Sequence, residues 1–549
     1  MERVNLSLFL LSYEKINLKQ MKNTFLFLAS ILISITAIAQ DKTQKDTNQQ
    51  TEDIYLNWYN KSPIDDQVFG AEVDKAYNLL KDKESSTVIV AVIDGGIDIT
   101  HEDLKDNIWV NQDEIPDNGI DDDKNGYIDD INGWNFLGND KGENIAYENL
   151  EITRIYKHYY KKEELSKEEK AQFKEAKKLF EKELKMANMQ KKSFDKFKNK
   201  YNTTYNNISE AIGKDTITTK DLDSLKIYNK SLKKDIKFQY RYVKYGFSFE
   251  VFDDFEEMIN ETLDYHLNLD FNPRYIIGDD VTDLDSDNGN NNVYGPEAFH
   301  GTFVAGIIAA ERDNEIGVNG IANNAQIMAL KVVPNGDERD KDVAKAIRYA
   351  ADNGARVINM SFGKQLSPNK NLVDEAIQYA EEKGVLLVHA AGNDGFNIDK
   401  VKQYPTKNVN ETKQVTTWIT VGASSMNKDA KFVASFTNYG KEMVDLFAPG
   451  VRVKSLAPES TYEVGDGTSF SAPVVSGVAA LLISYYPELT ANEVKSILTK
   501  SVHKYSDMEV NKPGSYSKKK KTILFGELSI SEGIVSAYEA IKLADEINK

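Results

Sequence analysis

Residues 87–98 read TVIVAVIDGGID, seven residues without a charge followed by an aspartate and two glycines. A short apolar run without polar alternation predicts a strand that is buried on both faces of a sheet. Asp94 then stands at the end of that strand, at the edge where parallel sheets bind ligands. An aspartate in this place also suits a capping role, so this motif alone fits structure as well as function.

Similar apolar runs recur along the chain and alternate with helical patterns. Five further runs predict strands at 327–333, 357–360, 385–390, 418–422 and 444–448. Helical patterns lie at 300–310, 340–352, 371–383, 469–485 and 534–547. Alternating strands and helices indicate βαβ units, in which a mainly parallel sheet has helices on both faces. We therefore predict an α/β fold of three layers.

One block interrupts this alternation. Residues 141–277 are rich in lysine, glutamate, tyrosine and asparagine, with Phe173, Phe180 and Leu184 at helical intervals. Glutamate and lysine often lie four residues apart, a spacing that stabilises exposed helices. Because a disordered linker of this length is uncommon inside a compact domain, we predict a mainly helical insertion. The α/β domain then consists of residues 54–140 and 278–545.

The N-terminal residues predict export. From Met21, the expected start, the chain reads MKNTFLFLASILISITAIAQ, with a lysine, a short apolar stretch and the small-residue sequence Ala37-Ile38-Ala39. This order is typical of a cleavable secretory signal peptide. We expect residues 1–39 to be removed before Gln40, leaving residues 40–53 as a flexible leader. The mature protein is then secreted or periplasmic, with no membrane partner.

Composition excludes several classes of function. The 549 residues carry a net charge of −18, with 86 acidic and 68 basic residues. Nonspecific nucleic-acid binding needs a positive surface, so we expect no nucleic-acid partner. The chain has no cysteine, which excludes disulfides, thiolate metal sites and cysteine catalysis.

Two further segments combine a reactive side chain with a helix of small residues. Residues 300–306 read HGTFVAG, and residues 467–473 read GTSFSAP. The Ser469 hydroxyl would lie beside the free N–H groups of a helix N-terminus, which favour a developing oxyanion. Taken singly, His300 is explained more simply as a structural histidine and Ser469 as an N-cap.

Taken together, the three segments resemble one family. VAVIDGGID, HGTFVAGIIAA and GTSFSAPVVSG look like the Asp, His and Ser boxes of the subtilases, in the chain order of that family. Further matching segments are VINMSFG at 357–363, AAGNDG at 390–395, FAPG at 447–450 and Tyr404-Pro405. The resemblance implies a subtilisin-like α/β fold and a secreted serine endopeptidase that acts on proteins or peptides.

The resemblance also implies a role for each matching residue. Ser469 would be the nucleophile, His300 the general base and Asp94 the residue that orients the imidazole. Asn393 and the Ser469 backbone N–H would bind the oxyanion, and catalysis would need no cofactor. An extended substrate would pair with three residues of this chain: Ser361, Phe362 and Gly363.

The sequence departs from the family pattern in several respects. Gly95 follows Asp94 where the family often has a hydroxyl residue, and Phe303 and Phe470 lie close to the candidate catalytic residues. Asp94 and His300 are 206 positions apart, where the family usually needs a few dozen, and the insertion accounts for this spacing. The insertion is either an arm that binds an unknown partner or a lid over the cleft.

Acidic loops predict structural calcium. Residues 121–130 read DDDKNGYIDD, with oxygen ligands at alternate positions and a glycine at a sharp turn. This pattern is like the front of a calcium loop, although the glutamate that ends a full EF-hand is missing. The candidate ligands are Asp121, Asp123, Asn125 and Asp130, and the family resemblance adds Asp103 and Asn314. The alternative is a solvated acidic turn.

Two further expectations concern the whole chain. The competing hypothesis is a binding or scaffold protein whose protease fold has lost its activity. The presence of the three catalytic candidates and Asn393 opposes it.

Residues 40–53 are polar and too few to fold alone. We therefore expect no folded propeptide between the signal peptide and the α/β domain.

Overall fold

The computed structural model describes residues 55–244, 249–283, 285–286, 288–410, 412–515 and 521–548. The predicted signal peptide (1–39) and leader (40–53) lie outside the described residues. The structure divides into two compact units. The α/β unit consists of Tyr55–Ile155 and Asp270–Lys549, and the helical unit consists of Tyr156–Leu269.

The α/β unit is built on a mainly parallel sheet. The strands of the α/β unit are β1 (Val88–Asp94), β2 (Gly133–Asn135), β3 (Ala325–Lys331), β4 (Val357–Met360), β5 (Leu386–Ala390), β6 (Trp418–Ser424), β7 (Leu446–Pro449), β8 (Val453–Ala457), β9 (Thr461–Gly465), β10 (His503–Lys504), β11 (Glu509–Asn511), β12 (Thr522–Leu524) and β13 (Gly533–Ile534). Nine of them form one sheet in the order β10-β13-β7-β6-β5-β4-β1-β3-β2, in which only the β10–β13 pair is antiparallel. The α/β fold with a mainly parallel sheet is thereby confirmed.

Helices cover both faces of this sheet. The α-helices of the described residues are α1 (Val73–Leu80), α2 (Glu151–Tyr159), α3 (Lys167–Ile212), α4 (Thr219–Tyr228), α5 (Lys233–Lys244), α6 (Glu250–Glu261), α7 (Arg274–Ile277), α8 (Ala298–Ala309), α9 (Asp340–Asp352), α10 (Lys370–Glu382), α11 (Thr468–Tyr485), α12 (Ala491–Lys500) and α13 (Ala537–Ile547). Of these, α3 to α6 lie in the helical unit. Val90 and Val92 of β1 pack with α8 and α11, whereas Ala91 and Ile93 pack with α9 and α10. The β1 strand is therefore buried on both faces, as its apolar run predicts.

The α11 helix is the apolar centre of the α/β unit. It is long and apolar enough to cross a membrane, but 89% of its apolar window is buried inside the protein. Its hydrophobic character is explained by that burial.

Four of the five predicted helices have slightly different bounds in the structure. The α11 helix begins at Thr468, one residue before the predicted start. The last helix begins at Ala537 and not at Ile534, because Ile534 belongs to β13 and Ser536 caps the helix by accepting the N–H of Glu539 at 3.1 Å. Side-chain capping of this kind fixes where a helix can begin.

The helical unit has its own aromatic core. The 46-residue helix α3 begins with a capping box between Ser166 and Glu169. Tyr201 on α3 is 1% exposed and packs against Tyr242 of α5 and Phe252 of α6. Helices account for most of the described residues between 151 and 266, whereas residues 141–155 and 270–277 belong to the α/β unit.

Close packing of α11 depends on Gly477. A Cβ atom at this position would lie 2.7 Å from Cβ of Ile321. We predict that Gly477→Ala lowers the free energy of unfolding by about 1–3 kcal/mol through overpacking, although alanine is the better helix former. Urea denaturation measures the change, with Glu375→Ala on the exposed surface of α10 as the control. A Gly477→Ala protein as stable as the parent would contradict this packing argument.

Candidate active site

Asp94 lies at the carboxyl edge of the sheet, between two neighbouring strands. It is the last residue of β1 and is 2% exposed. Its carbonyl oxygen accepts the N–H groups of Val332 at 2.8 Å and Val333 at 3.1 Å. This pairing holds the residue at the point where β1 leaves the sheet, with its carboxylate close to α8.

His300 reaches Asp94 from the first turn of α8. Its Nδ1 lies 2.8 Å from Asp94 Oδ1, which also accepts the Gly95 N–H at 2.8 Å. The other oxygen, Asp94 Oδ2, is buried and has no hydrogen-bond partner in the part of the chain that the structure describes. Burial disfavours the charged imidazole, but the Asp94 carboxylate outweighs it and raises the pKa of His300 above its ordinary 6.5.

The approach of α8 to β1 requires a glycine next to His300. A Cβ atom on Gly301 would lie 2.2 Å from the Gly96 carbonyl oxygen and 3.2 Å from Asp94 Cβ. Any larger residue would push the helix away from the strand end, because protein interiors have no room for such an overlap. The motif His-Gly therefore couples the imidazole to the aspartate.

A buried lysine lies beside Asp94, and the sequence analysis did not identify it. Lys331 stands opposite Asp94 in the β1–β3 register and is 2% exposed. Its Nζ donates to the Tyr294 carbonyl oxygen at 3.1 Å, which ties the chain before α8 to β3. Burial lowers the pKa of Lys331 to about 8. Its position inside an apolar run gave no sign of this role.

Ser469 lies in the first turn of α11, next to the segment that follows β4. Its Oγ donates to the Ser361 carbonyl oxygen at 3.1 Å, and the Ser361 hydroxyl donates to the Ser469 carbonyl oxygen at 2.8 Å. The ring of Phe470 lies 5.7 Å from the His300 ring and 4.1 Å from the Phe303 ring. The two phenylalanines that depart from the family pattern thus pack together beside the imidazole.

The side-chain amide of Asn393 is fixed in one orientation. Its Oδ1 accepts both the N–H of Thr468 at 2.8 Å and the hydroxyl of Thr468 at 2.9 Å. The same hydroxyl accepts the Gly392 N–H at 3.1 Å. With the carbonyl end occupied, the amide presents its Nδ2 donor away from Thr468, the residue before Ser469.

The predicted substrate strand directly continues β4. The carbonyl oxygen of Phe362 lies 2.9 Å from Nε2 of His389, a buried residue of β5. Burial lowers the pKa of His389 to about 4, so its imidazole is neutral and Nε2–H is the donor. Gly363 is exposed, and Lys364 then pairs with Tyr404 through two backbone hydrogen bonds of 2.9 Å. The segment from Ser361 to Lys364 is therefore held by side-chain and backbone contacts.

The acidic loop brings together only part of the predicted ligand set. Asp123 and Asp130 each offer an oxygen within 4.8 Å of the others, and Glu114 is the third member. Asn125 donates from Nδ2 to both aspartates, at 3.0 and 2.9 Å, whereas Asp121 accepts the backbone N–H groups of Asn125 and Gly126. Glu114 was missed because it precedes the motif, and its acidity was the only available signal.

The second predicted calcium pair has a different arrangement. Asp103 Oδ1 accepts from Asn314 Nδ2 at 2.7 Å, and Asp103 Oδ2 accepts from the Val318 backbone N–H at 3.1 Å. The structure thus brings Asp103 and Asn314 together, with both oxygens of Asp103 facing hydrogen-bond donors. Burial raises the pKa of Asp103.

The sequence is similar to known proteins of one family. The model of the subtilase family (Peptidase S8) matches residues 85–516. Subtilisin DY of Bacillus licheniformis is 37% identical over 210 residues, which are 38% of this chain and 72% of the relative. A thermophilic serine proteinase of a Bacillus species is 38% identical over 229 residues, 41% of this chain and 51% of the relative.

A solved protease structure from Pseudoalteromonas arctica covers 89% of this chain and 97% of its own, at 20% identity and a TM-score of 0.45. The segment matched by the family model contains the strand end at Asp94, the helix start at His300 and the helix start at Ser469. The chain belongs to the subtilase family of serine endopeptidases.

Proposed function

We propose that this chain is a secreted endopeptidase that hydrolyses peptide bonds of proteins through Asp94, His300 and Ser469. The observation that carries the proposal is the 2.8 Å contact between His300 and a buried aspartate, beside a serine in the first turn of an apolar helix. The three side chains come from separate elements that meet at the carboxyl edge of one sheet. This arrangement suits acyl transfer, and no cofactor takes part in it.

The reaction divides among these residues. Ser469 Oγ turns from the Ser361 carbonyl and attacks the scissile carbonyl carbon while His300 accepts its proton. The imidazolium, stabilised by Asp94, then gives this proton to the leaving amine. Water activated by the same imidazole attacks the acyl-enzyme, and Ser469 leaves with its proton restored. Asp94 stays ionised throughout and keeps the imidazole in the reactive tautomer.

Two donors are proposed for the oxyanion. Asn393 Nδ2 points away from Thr468 because its carbonyl end is occupied there, and the Ser469 N–H lies in the first turn of α11. Donors that are fixed before the reaction stabilise the developing charge without reorganisation. The substrate backbone pairs with Ser361, Phe362 and Gly363 as an added strand, which brings its carbonyl to Ser469.

A structural calcium ion is proposed at Glu114, Asp123 and Asp130. Burial raises the pKa of Glu114 and of Asp130, and neighbouring carboxylates add to both shifts. A bound divalent cation would remove this repulsion, and carboxylate oxygens are the ligands that calcium prefers. The residues present fit such an ion, which would stabilise the loop and supply no catalytic group.

Export and the role of the helical segment complete the proposal. The signal sequence that ends at Ala39 favours a secreted or periplasmic enzyme whose mature chain begins near Gln40.

Residues 141–277 are proposed as one helical insertion in the α/β domain of residues 54–140 and 278–545. The insertion is a candidate arm for an unknown partner.

Removal of the nucleophile tests the reaction. We predict that Ser469→Ala lowers kcat for casein or a peptide by about a million-fold. Phenylmethylsulfonyl fluoride should label the parent at Ser469 and should not label the variant. Ser435→Ala, which removes an exposed hydroxyl, should retain labelling and cleavage. Full cleavage by Ser469→Ala would show that another residue attacks the substrate.

The ionisation of His300 predicts the pH dependence. The base is active only when it is neutral, so kcat/KM for an uncharged peptide should rise with pH through the raised pKa of His300, with a midpoint above 6.5. Asp94→Asn removes the charge that raises this pKa. The midpoint should then move to lower pH, and the plateau should fall by about 10⁴. An unchanged midpoint in Asp94→Asn would argue against His300 as the titrating base.

Calcium dependence tests the acidic loop. We predict that excess calcium stabilises the parent by about 3 kcal/mol at a hundred times its Kd, by mass action on the folded state. Urea denaturation with calcium or a chelator measures the difference. Glu114→Gln should abolish most of this gain. Asp122→Asn, which removes a charge from the same loop outside the cluster, should keep it. Equal chelator sensitivity in the parent and Glu114→Gln would reject the site.

A further inference from the structure

The residue after the substrate strand is a lysine whose side chain is buried. Lys364 directly follows Gly363, and its side chain is 4% exposed. Its Nζ lies 2.7 Å from Glu151 Oε2, 2.9 Å from Asp340 Oδ1 and 2.7 Å from the Glu338 carbonyl oxygen. The ammonium therefore has three oxygen partners and is held in one place.

The partners of Lys364 belong to a larger ionic cluster of the α/β unit, which includes residues just before the helical unit in sequence. Glu151 is the first residue of α2, and its carboxylate also binds the Arg154 guanidinium, at 2.5 and 3.2 Å. Arg154 in turn donates to the carbonyl oxygens of Asp337 at 2.8 Å and Glu338 at 2.9 Å. The chain that leads into the helical unit is thus bound to the chain before α9.

The chain that returns from the helical unit joins the same cluster. Arg274, which is 1% exposed, binds Glu148 at 3.3 Å, Asp279 at 2.9 Å and also Asp342 on α9. Arg339 binds Glu148 at 2.7 Å. The segments on both sides of residues 156–269 are therefore linked by buried ion pairs, and Lys364 connects this cluster to the substrate strand.

Stability alone does not account for this arrangement. Removing charges from water costs free energy. A protein in which well-packed apolar residues of similar size replace a buried ion pair is often as stable as the original. For Lys364, burial disfavours the ammonium, but Glu151 and Asp340 outweigh it and raise its pKa. The pairs do fix direction and distance, since the ammonium must meet three oxygens at once.

We propose that Lys364 is a positioning residue that fixes the end of the substrate strand through Glu151, Asp340 and the Glu338 carbonyl. Its backbone pairs with Tyr404 through two hydrogen bonds of 2.9 Å, so backbone and side chain hold the same residue from different directions. This inference rests on the proposed function, because it takes Ser361–Gly363 as the segment that aligns the peptide with Ser469. An extended substrate then depends on Lys364, whereas a small acyl group does not.

The test compares two substrates in Lys364→Met. A peptide long enough to pair with Ser361–Gly363 should lose about 10- to 100-fold in kcat/KM, because small misplacements of a bound substrate have effects of this size. Hydrolysis of p-nitrophenyl acetate, whose acyl group is too small to reach the strand, should stay within about two-fold of the parent. The rate of Ser469 labelling by phenylmethylsulfonyl fluoride should also be unchanged.

A matched control and a milder variant complete the experiment. Lys542→Met removes another lysine with a carboxylate partner, Glu539 of α13, and should leave both substrates unaffected. Glu151→Gln keeps a hydrogen-bond acceptor for Lys364 and should lower only peptide cleavage, by several-fold. If Lys364→Met does not fold, the comparison of the two substrates is made with Glu151→Gln. The double variant should be no worse than Lys364→Met alone.

Each outcome decides one of the two proposals. Loss of peptide cleavage with ester hydrolysis retained supports positioning by Lys364. Equal losses for peptide and ester in a folded variant, or no loss for either, overturn it. A parent protein that neither cleaves the peptide nor reacts with phenylmethylsulfonyl fluoride would refute the proposed function itself, independently of Lys364.

Discussion

The common direction of neighbouring strands is the constraint on which the candidate site depends. β1, β4 and β5 are parallel neighbours, so the residues that follow them leave the sheet at one edge. Asp94 ends β1, Ser361 follows β4, and Asn393 lies just beyond β5. The backbone hydrogen bonds of the sheet therefore bring these residues together, and side-chain contacts adjust only the final orientation.

The helices complete the site because small residues let them come close. α8 and α11 pack on the same face of the sheet and contact each other through Phe303 and Phe470. Gly301 allows the imidazole of His300 to reach Asp94, and Gly477 allows α11 to lie against Ile321. The candidate catalytic groups are thus carried on rigid elements, which hold distances more closely than loops do.

Buried charge is concentrated at the same edge. His300 faces Asp94, Lys331 faces the Tyr294 carbonyl, and Lys364 faces Glu151 and Asp340. Each cation needs an oxygen partner at a defined distance, since an unpaired charge in the interior is costly. Directional hydrogen bonds and ion pairs therefore fix the side chains at this edge of the sheet, whereas the core beneath it is held by apolar packing.

The sequence alone determined the fold class, the strand that ends at Asp94, the β4 strand at its observed bounds, and the segments that carry His300, Ser469 and Asn393. These features have local signatures: apolar runs, helix-start patterns and contiguous motifs. Only the tertiary structure decided that Glu114 joins Asp123 and Asp130, and that Lys364 binds Glu151, a residue 213 positions away. A buried ion pair between distant segments leaves no periodic pattern in either segment, because its partner is chosen by how the sheet and helices pack.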